Sequence, residues 1–310
     1  MQGTFKYFST AVFGLAAGLA LSLTPAFADE PVRVSSKIDT EGSLLGNMIV
    51  KRLEHADIPV EDKLQLGPTN IVRSALLEDE IDLYPEYTGN GAFFTQTTDD
   101  AAWKRSGEGY EKIRAYDKEN NDLVWLAPAP ANNTWAIALR RDVADEHDLS
   151  TMEDFAAWIR DGGEIKLAGS AEFVESDAAL PSFQRAYDFK LDQDQLLVLS
   201  GGNTAATIRA AAENTSGTNA AMVYATDGAI PAADLKVMDD TQGVQMVYEP
   251  APVIRQATLD AYPQIPELLE PVFEGLDRET LQSLNRRIQV DGEPAGDVAE
   301  DYLESQDLLD

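Results

Sequence analysis

Apolar positions recur along this chain in two rhythms. Val32 to Ser35, Lys63 to Leu66 and Ile81 to Tyr84 read as short strands, and between them Ser43 to His55 and Asn70 to Leu77 place apolar side chains at helical spacing. After a helical stretch carrying Trp103, Tyr110 and Ile113, Leu123 to Leu126 extends again. A second series follows, with strands near Ile165 to Ala168, Leu196 to Leu199 and Ala221 to Tyr224. Helices near Met152 to Arg160, Leu180 to Tyr187 and Thr204 to Ala212 separate them. Such alternation implies right-handed crossovers and mostly parallel sheets, so the expected class is α/β, built twice.

The two series echo each other. Each runs from a helix into a short strand and then a turn, IDLY into PEYTGN in the first and AAMVY into ATDG in the second. Tyrosines therefore fall at the carboxyl ends of strands, where open α/β sheets bind ligands. Between the series, Pro128 and Pro130 interrupt regular structure before an extended run begins at Trp135, and a matching break, YEPAPVIRQA, occupies 248 to 257. A two-lobed chain needs two such segments, one to cross and one to return. The expected division is lobe 1 at 29–131 and 252–310, its helical tail starting at Pro263, and lobe 2 at 132–251. The chain exceeds what one hydrophobic core usually serves.

The amino terminus changes the picture of where the protein works. Lys6 is the only charge in residues 1–28, which continue through an apolar run from Ala11 to Leu23 and end in TPAFA. This has the form of a cleavable secretory signal peptide, too short for a comfortable membrane span. With no cysteine there is no disulfide framework, no lipid-bearing thiol at the cleavage site and no thiol chemistry. The expectation is a freely soluble, monomeric periplasmic protein. Its 24 Lys and Arg against 54 Asp and Glu give a net charge of −30, spread along the chain. That balance argues against nucleic-acid binding and describes a strongly solvated surface.

Catalysis has little to stand on. His55 and His147 lie far apart with no second ligand at metal-site spacing, so neither a metal nor a cofactor is expected. No nucleophile elbow or phosphate loop occurs; Ser200 to Thr204 reads as a strand-to-helix turn. Rings at segment ends are more informative: Tyr84, Tyr87, Trp135 and Tyr224. Trp103 with Tyr110, Phe155 with Trp158, and Phe183 with Tyr187 fall at helical spacing and read as core, and Phe93 and Phe94 are expected to pack. A cluster of electron-rich rings suits a quaternary ammonium, whose charge ring faces can hold at about 0.5–2 kcal/mol per contact.

The segments SSKIDTEGSLLGNMI (35–49), LGPTNIVRSALLEDEIDLYPEYTGNGAFF (66–94), LAPAPANNTWAIALR (126–140), SAEF (170–173), SGTNAAMVYATDG (216–228) and PAPVIRQ (250–256) together resemble the osmoprotectant-binding proteins of bacterial ABC importers, the glycine betaine and choline receptors, in particular their YehZ-like (OsmF) branch. The resemblance spans essentially the whole chain after residue 28. It implies a type II periplasmic-binding-protein fold that closes on its ligand and delivers it to a membrane permease with an ATPase behind it. Carried over by motif, Lys37, Tyr87, Asn90, Asn133, Trp135 and Tyr224 are the expected ligand-binding residues. The rings would box the trimethylammonium, and Lys37 with nearby polar groups would take the carboxylate. Glu86, Thr88 and Gly89 would shape the loop.

Two departures stand out. Ser176 occupies the position where relatives often carry a carboxylate-clamping arginine, and no further ring appears near Ser200 to Thr204. Both point to weak affinity, or to a ligand such as choline that has no carboxylate. The competing readings are surface pairing of Lys37 with Glu41 or Asp39, the same fold serving an amino acid or other anionic solute, and, remotely, an exported enzyme.

Overall fold

The computed structural model of the protein describes residues 1–3, 30–199 and 204–309. The expected signal segment beyond its first three residues, and the turn Ser200–Asn203, lie outside them. Ten strands form two five-stranded sheets: β1 (Val32–Lys37), β2 (Val60–Gly67), β3 (Leu83–Tyr87), β4 (Leu123–Trp125) and β10 (Pro250–Arg255) in one, and β5 (Trp135–Arg140), β6 (Leu167–Ser170), β7 (Leu196–Leu199), β8 (Ala220–Tyr224) and β9 (Leu235–Val237) in the other. The orders are β2-β1-β3-β10-β4 and β7-β6-β8-β5-β9, the same topology twice.

The sheets are mixed, each with one strand running against the rest. In each, four strands run in one direction, and the strand that has just crossed from the other sheet, β10 or β5, runs antiparallel to both its neighbours. Period-2 alternation then buries both faces. Val32, Val34, Leu83 and Ile254 point into a core under helix Thr40–His55, whereas Tyr84, Trp125 and Val253 point into another containing Trp103 and Ile113. In the second sheet Ile137, Leu139 and Met222 face Phe155 and Phe173, and Ala136, Ala138 and Val223 face Ile208.

The two chain crossings lie side by side. Ala129 N–H donates to Pro250 O at 2.8 Å, Asn133 N–H to Tyr248 O at 3.0 Å, and the Thr134 hydroxyl to Met246 O at 2.8 Å. A third link is not covalent. Helix Arg278–Gln289 presents Arg278, Gln282, Asn285 and Gln289, one stripe at spacings of four, three and four, to the second sheet's turns. Gln282 donates to Ala225 O at 2.7 Å, Asn285 to Thr226 O at 3.0 Å, Gln289 accepts from Gly228 N–H at 3.1 Å, and Arg278 pairs with Asp239 at 2.7 Å.

Candidate ligand-binding site

The carboxyl ends of β1, β3 and β8 and the start of β5 open onto one cavity of about 740 Å3. All six residues expected from the sequence line it: Lys37, Tyr87, Asn90, Asn133, Trp135 and Tyr224. Strand register explains why. Lys37 and Tyr87 are the last residues of the parallel neighbours β1 and β3, and Trp135 opposes Tyr224 in the antiparallel pair β5–β8. The latter two rings therefore lie side by side, with centroids 6.5 Å apart and planes 23° from parallel. Phe173 meets Trp135 edge-on at 5.9 Å and 85°, fixing the indole from the core side.

Several expectations need correcting. Tyr84 is fully buried on the opposite face of β3 and does not reach the cavity; its hydroxyl donates to Glu86 at 3.0 Å. Phe93 does not pack away: it is 56% exposed and sits on the cavity wall, while Phe94 lies under the Arg73 guanidinium at 4.4 Å. Lys37 is neither a surface residue nor a partner of Glu41 or Asp39. It is 5% exposed and its ammonium is ion-paired to the wholly buried Glu86 while lying 4.4 Å from the centroid of the Tyr87 ring. Glu86 does more than shape the loop, because it also accepts from Tyr87 N–H at 2.6 Å and from the Asn90 amide at 2.8 Å. A buried carboxylate without its cation would be costly, so Glu86 holds Lys37, Tyr87 and Asn90 as one unit.

Reading the sequence missed other wall residues. Tyr248 adds a further ring beside the three expected and Phe93, packed against Gly89, where a Cβ would fall 2.7 Å from its ring carbons. Its place at the second crossing is the same segment-end signal that marked Tyr87 and Trp135. Glu41, buried in the first turn of helix Thr40–His55, accepts from the Tyr87 hydroxyl at 2.7 Å, the Asn133 amide at 3.0 Å and the Asn285 amide at 2.7 Å. Nothing local in the sequence marks Asn285, which comes from the far end of the chain.

The cavity is acidic. Asp39, Glu41, Glu172 and Asp227 line it against Lys37, already paired, and Lys104. Burial raises the carboxyl pKa of Glu41 and lifts that of Asp227 to about 6. The Tyr87 phenol is held well above its ordinary range by burial and by Glu41, and burial raises Tyr224 and lifts Tyr248 to about 12, so the rings stay neutral. Among the described residues, the buried indole N–H of Trp135 and the amide oxygens of Asn133 and Asn285 lack a hydrogen bond of acceptable geometry. Each such group ordinarily costs about 1–3 kcal/mol, and they gather where the cavity lies.

Two linked α/β bodies with a ring-lined cavity at the strand ends define a solute-binding protein of the periplasmic-binding type. The chain belongs to the family of substrate-binding domains of ABC-type glycine betaine transport systems, which it matches over residues 30–305. It is 54% identical to the glycine betaine-binding protein YehZ of Escherichia coli (strain K12), over 93% of this chain and 94% of that protein. The solved structure of apo YehZ covers 90% of this chain and 99% of its own with a TM-score of 0.87. The ergothioneine transport permease/ergothioneine binding protein EgtU of Helicobacter pylori is 28% identical over 94% of this chain and 50% of its own length. The protein is thus the solute-binding component of an ABC transporter, working with its permease components, and not an enzyme.

Proposed function

We propose that the protein captures a quaternary-ammonium compatible solute, glycine betaine, choline or a relative, in the periplasm and hands it to the permease subunits of an inner-membrane importer. Residues 1–28 serve as a cleaved export signal, and the working form is a monomer of two lobes, 29–131 with 252–310 and 132–251. Tyr87, Trp135 and Tyr224 form the cage, Asn90 and Asn133 orient it, and Lys37 lies under the Tyr87 ring, where its pairing with Glu86 leaves little positive charge for a ligand carboxylate. Uptake under osmotic stress is the physiological role this implies.

The observation that carries this reading is the gathering of Tyr87, Trp135 and Tyr224 on one acidic cavity, an arrangement that suits a cation unable to donate hydrogen bonds. With Ser176 on the wall in place of a guanidinium, affinity for carboxylate-bearing solutes is modest. Titration calorimetry of the chain from residue 29 with glycine betaine, choline, carnitine and proline betaine tests it. Heat from at least one of them is expected. Silence from all four, with heat from an amino acid or an inorganic anion, would replace the ligand class.

A further inference from the structure

We propose that Glu41 is the buried counter-charge of the cavity, a positioning residue that holds the Tyr87 ring and makes the site prefer a quaternary nitrogen over an uncharged group of the same shape. The inference rests on the quaternary-ammonium reading above and assigns its charge selectivity to one side chain.

The case begins with how this protein treats its other buried acids. Glu86 is paired with Lys37, Asp117 with Arg73, and Asp82 with Arg33 and Arg255. Glu41 is only 5% exposed, yet among the described residues it forms no ion pair with a lysine or arginine. Its partners are neutral donors from separate parts of the chain: the phenol at the end of β3, the Asn133 amide at the first crossing, the Asn285 amide on helix Arg278–Gln289 and the Thr226 side chain after β8. Such donors spread a negative charge without cancelling it. Glu249, also buried and bonded to the Ser106 hydroxyl, is not on the cavity wall, whereas Glu41 is.

Burial without a cation pushes the Glu41 carboxyl towards its neutral form, and a cation arriving at the cavity draws it back to the charged one. The hydrogen-bond count then selects the kind of cation. A carboxylate offers about four lone-pair sites, and Tyr87, Asn133, Asn285 and Thr226 already take them up, so a primary ammonium with three N–H groups would have to displace existing partners. A trimethylammonium asks for no lone pair and supplies only charge. The Tyr87 hydroxyl, donating to an anion, also gains electron density in its ring, the property that draws a cation to its face. Asp39 and Glu172 are exposed, so solvent and salt screen their charges, and Asp227, which accepts from Tyr224 N–H at 2.8 Å, is less enclosed than Glu41.

The test compares ligand pairs that differ only in nitrogen against carbon: glycine betaine with 3,3-dimethylbutyrate, and choline with 3,3-dimethylbutan-1-ol. The wild-type protein is expected to prefer the charged member of each pair it binds by about tenfold or more. Glu41→Gln should reduce that preference to about threefold or less, chiefly by weakening the charged ligand, and Glu41→Asp, which keeps the charge, should retain it. The proposal is overturned if wild type discriminates by less than about threefold, or if Glu41→Gln weakens both members of a pair equally, as a purely structural residue would. If Glu41→Gln fails to fold by circular dichroism, loss of the preference in a folded Glu41→Asp likewise overturns it. If no quaternary-ammonium ligand binds wild type while an amino acid or anion does, the broader ligand class has failed, a result separable from weak discrimination.

Discussion

Asp227 closes the turn after β8 by accepting the Tyr224 N–H at 2.8 Å, and burial lifts its pKa from 3.8 to about 6. A carboxyl whose folded pKa lies above its unfolded one costs nothing below about pH 4, where both forms are protonated. Stability is lost as pH rises through 6. A shift of about two units is worth roughly 3 kcal/mol, which partial solvent exposure of Asp227 trims to about 1–2 kcal/mol. Asp227→Asn keeps the acceptor and cannot ionise. It should therefore leave the melting temperature at pH 4 nearly unchanged and raise stability at pH 8 by about 1–2 kcal/mol; an equal effect at both pH values would contradict the desolvation account. At this scale the sequence was readable where a ring ends a segment, because position marked Tyr87, Trp135 and Tyr224 for the wall, while Lys37 was legible only through the family motif. It was silent on Glu41 and Asn285, whose contact joins residues 244 apart in the chain.

Helix Arg278–Gln289 rests on the second sheet at a point where only glycine fits. A Cβ on Gly228 would lie 2.2 Å from Arg286 N and 2.4 Å from Asn285 C, backbone atoms that cannot swing aside. Gly228→Ala should push the helix off the turn, weakening the contacts of Asn285 and Gln289 together. The expected cost is about 1–3 kcal/mol, and the melting temperature should fall by about 2–4 °C for each. A variant melting like wild type would mean that the helix does not bear on that turn. Helices Met152–Arg160, Leu180–Tyr187 and Thr204–Ala212 have the bounds their apolar spacing predicts. Thr151 and Asp154 mark the first with a reciprocal cap. Strand β10 escaped notice because Pro250 and Pro252 argue against a central strand. In the fold Pro252 faces Pro85, while the carbonyls of Pro250 and Pro252 still accept from Ala129 and Leu126, so the missing donors are tolerated.

For the molecule as a whole, a net charge of −30 sets up self-repulsion that salt relieves. The Debye length shrinks from about 30 Å at 0.01 M to about 3 Å at 1 M ionic strength. Raising sodium chloride across that range should raise the melting temperature by about 2–4 °C for each kcal/mol of repulsion removed; a flat or falling profile would show that the surface acids are already compensated by their neighbours. The alternation of strands and helices announced two α/β bodies and the proline-marked breaks their crossings, but not that the crossings pair side by side, which joins segments more than a hundred residues apart. That joint has a mechanical corollary. Trp135 and Tyr248 sit at the two chain crossings, and Tyr224 is laced to Trp135 by the sheet, so a turn of one body against the other would reshape the proposed aromatic box in the same stroke. Under the proposed reading, grip and angle would be one coordinate, and whatever stiffened the pivot would also tune the hold.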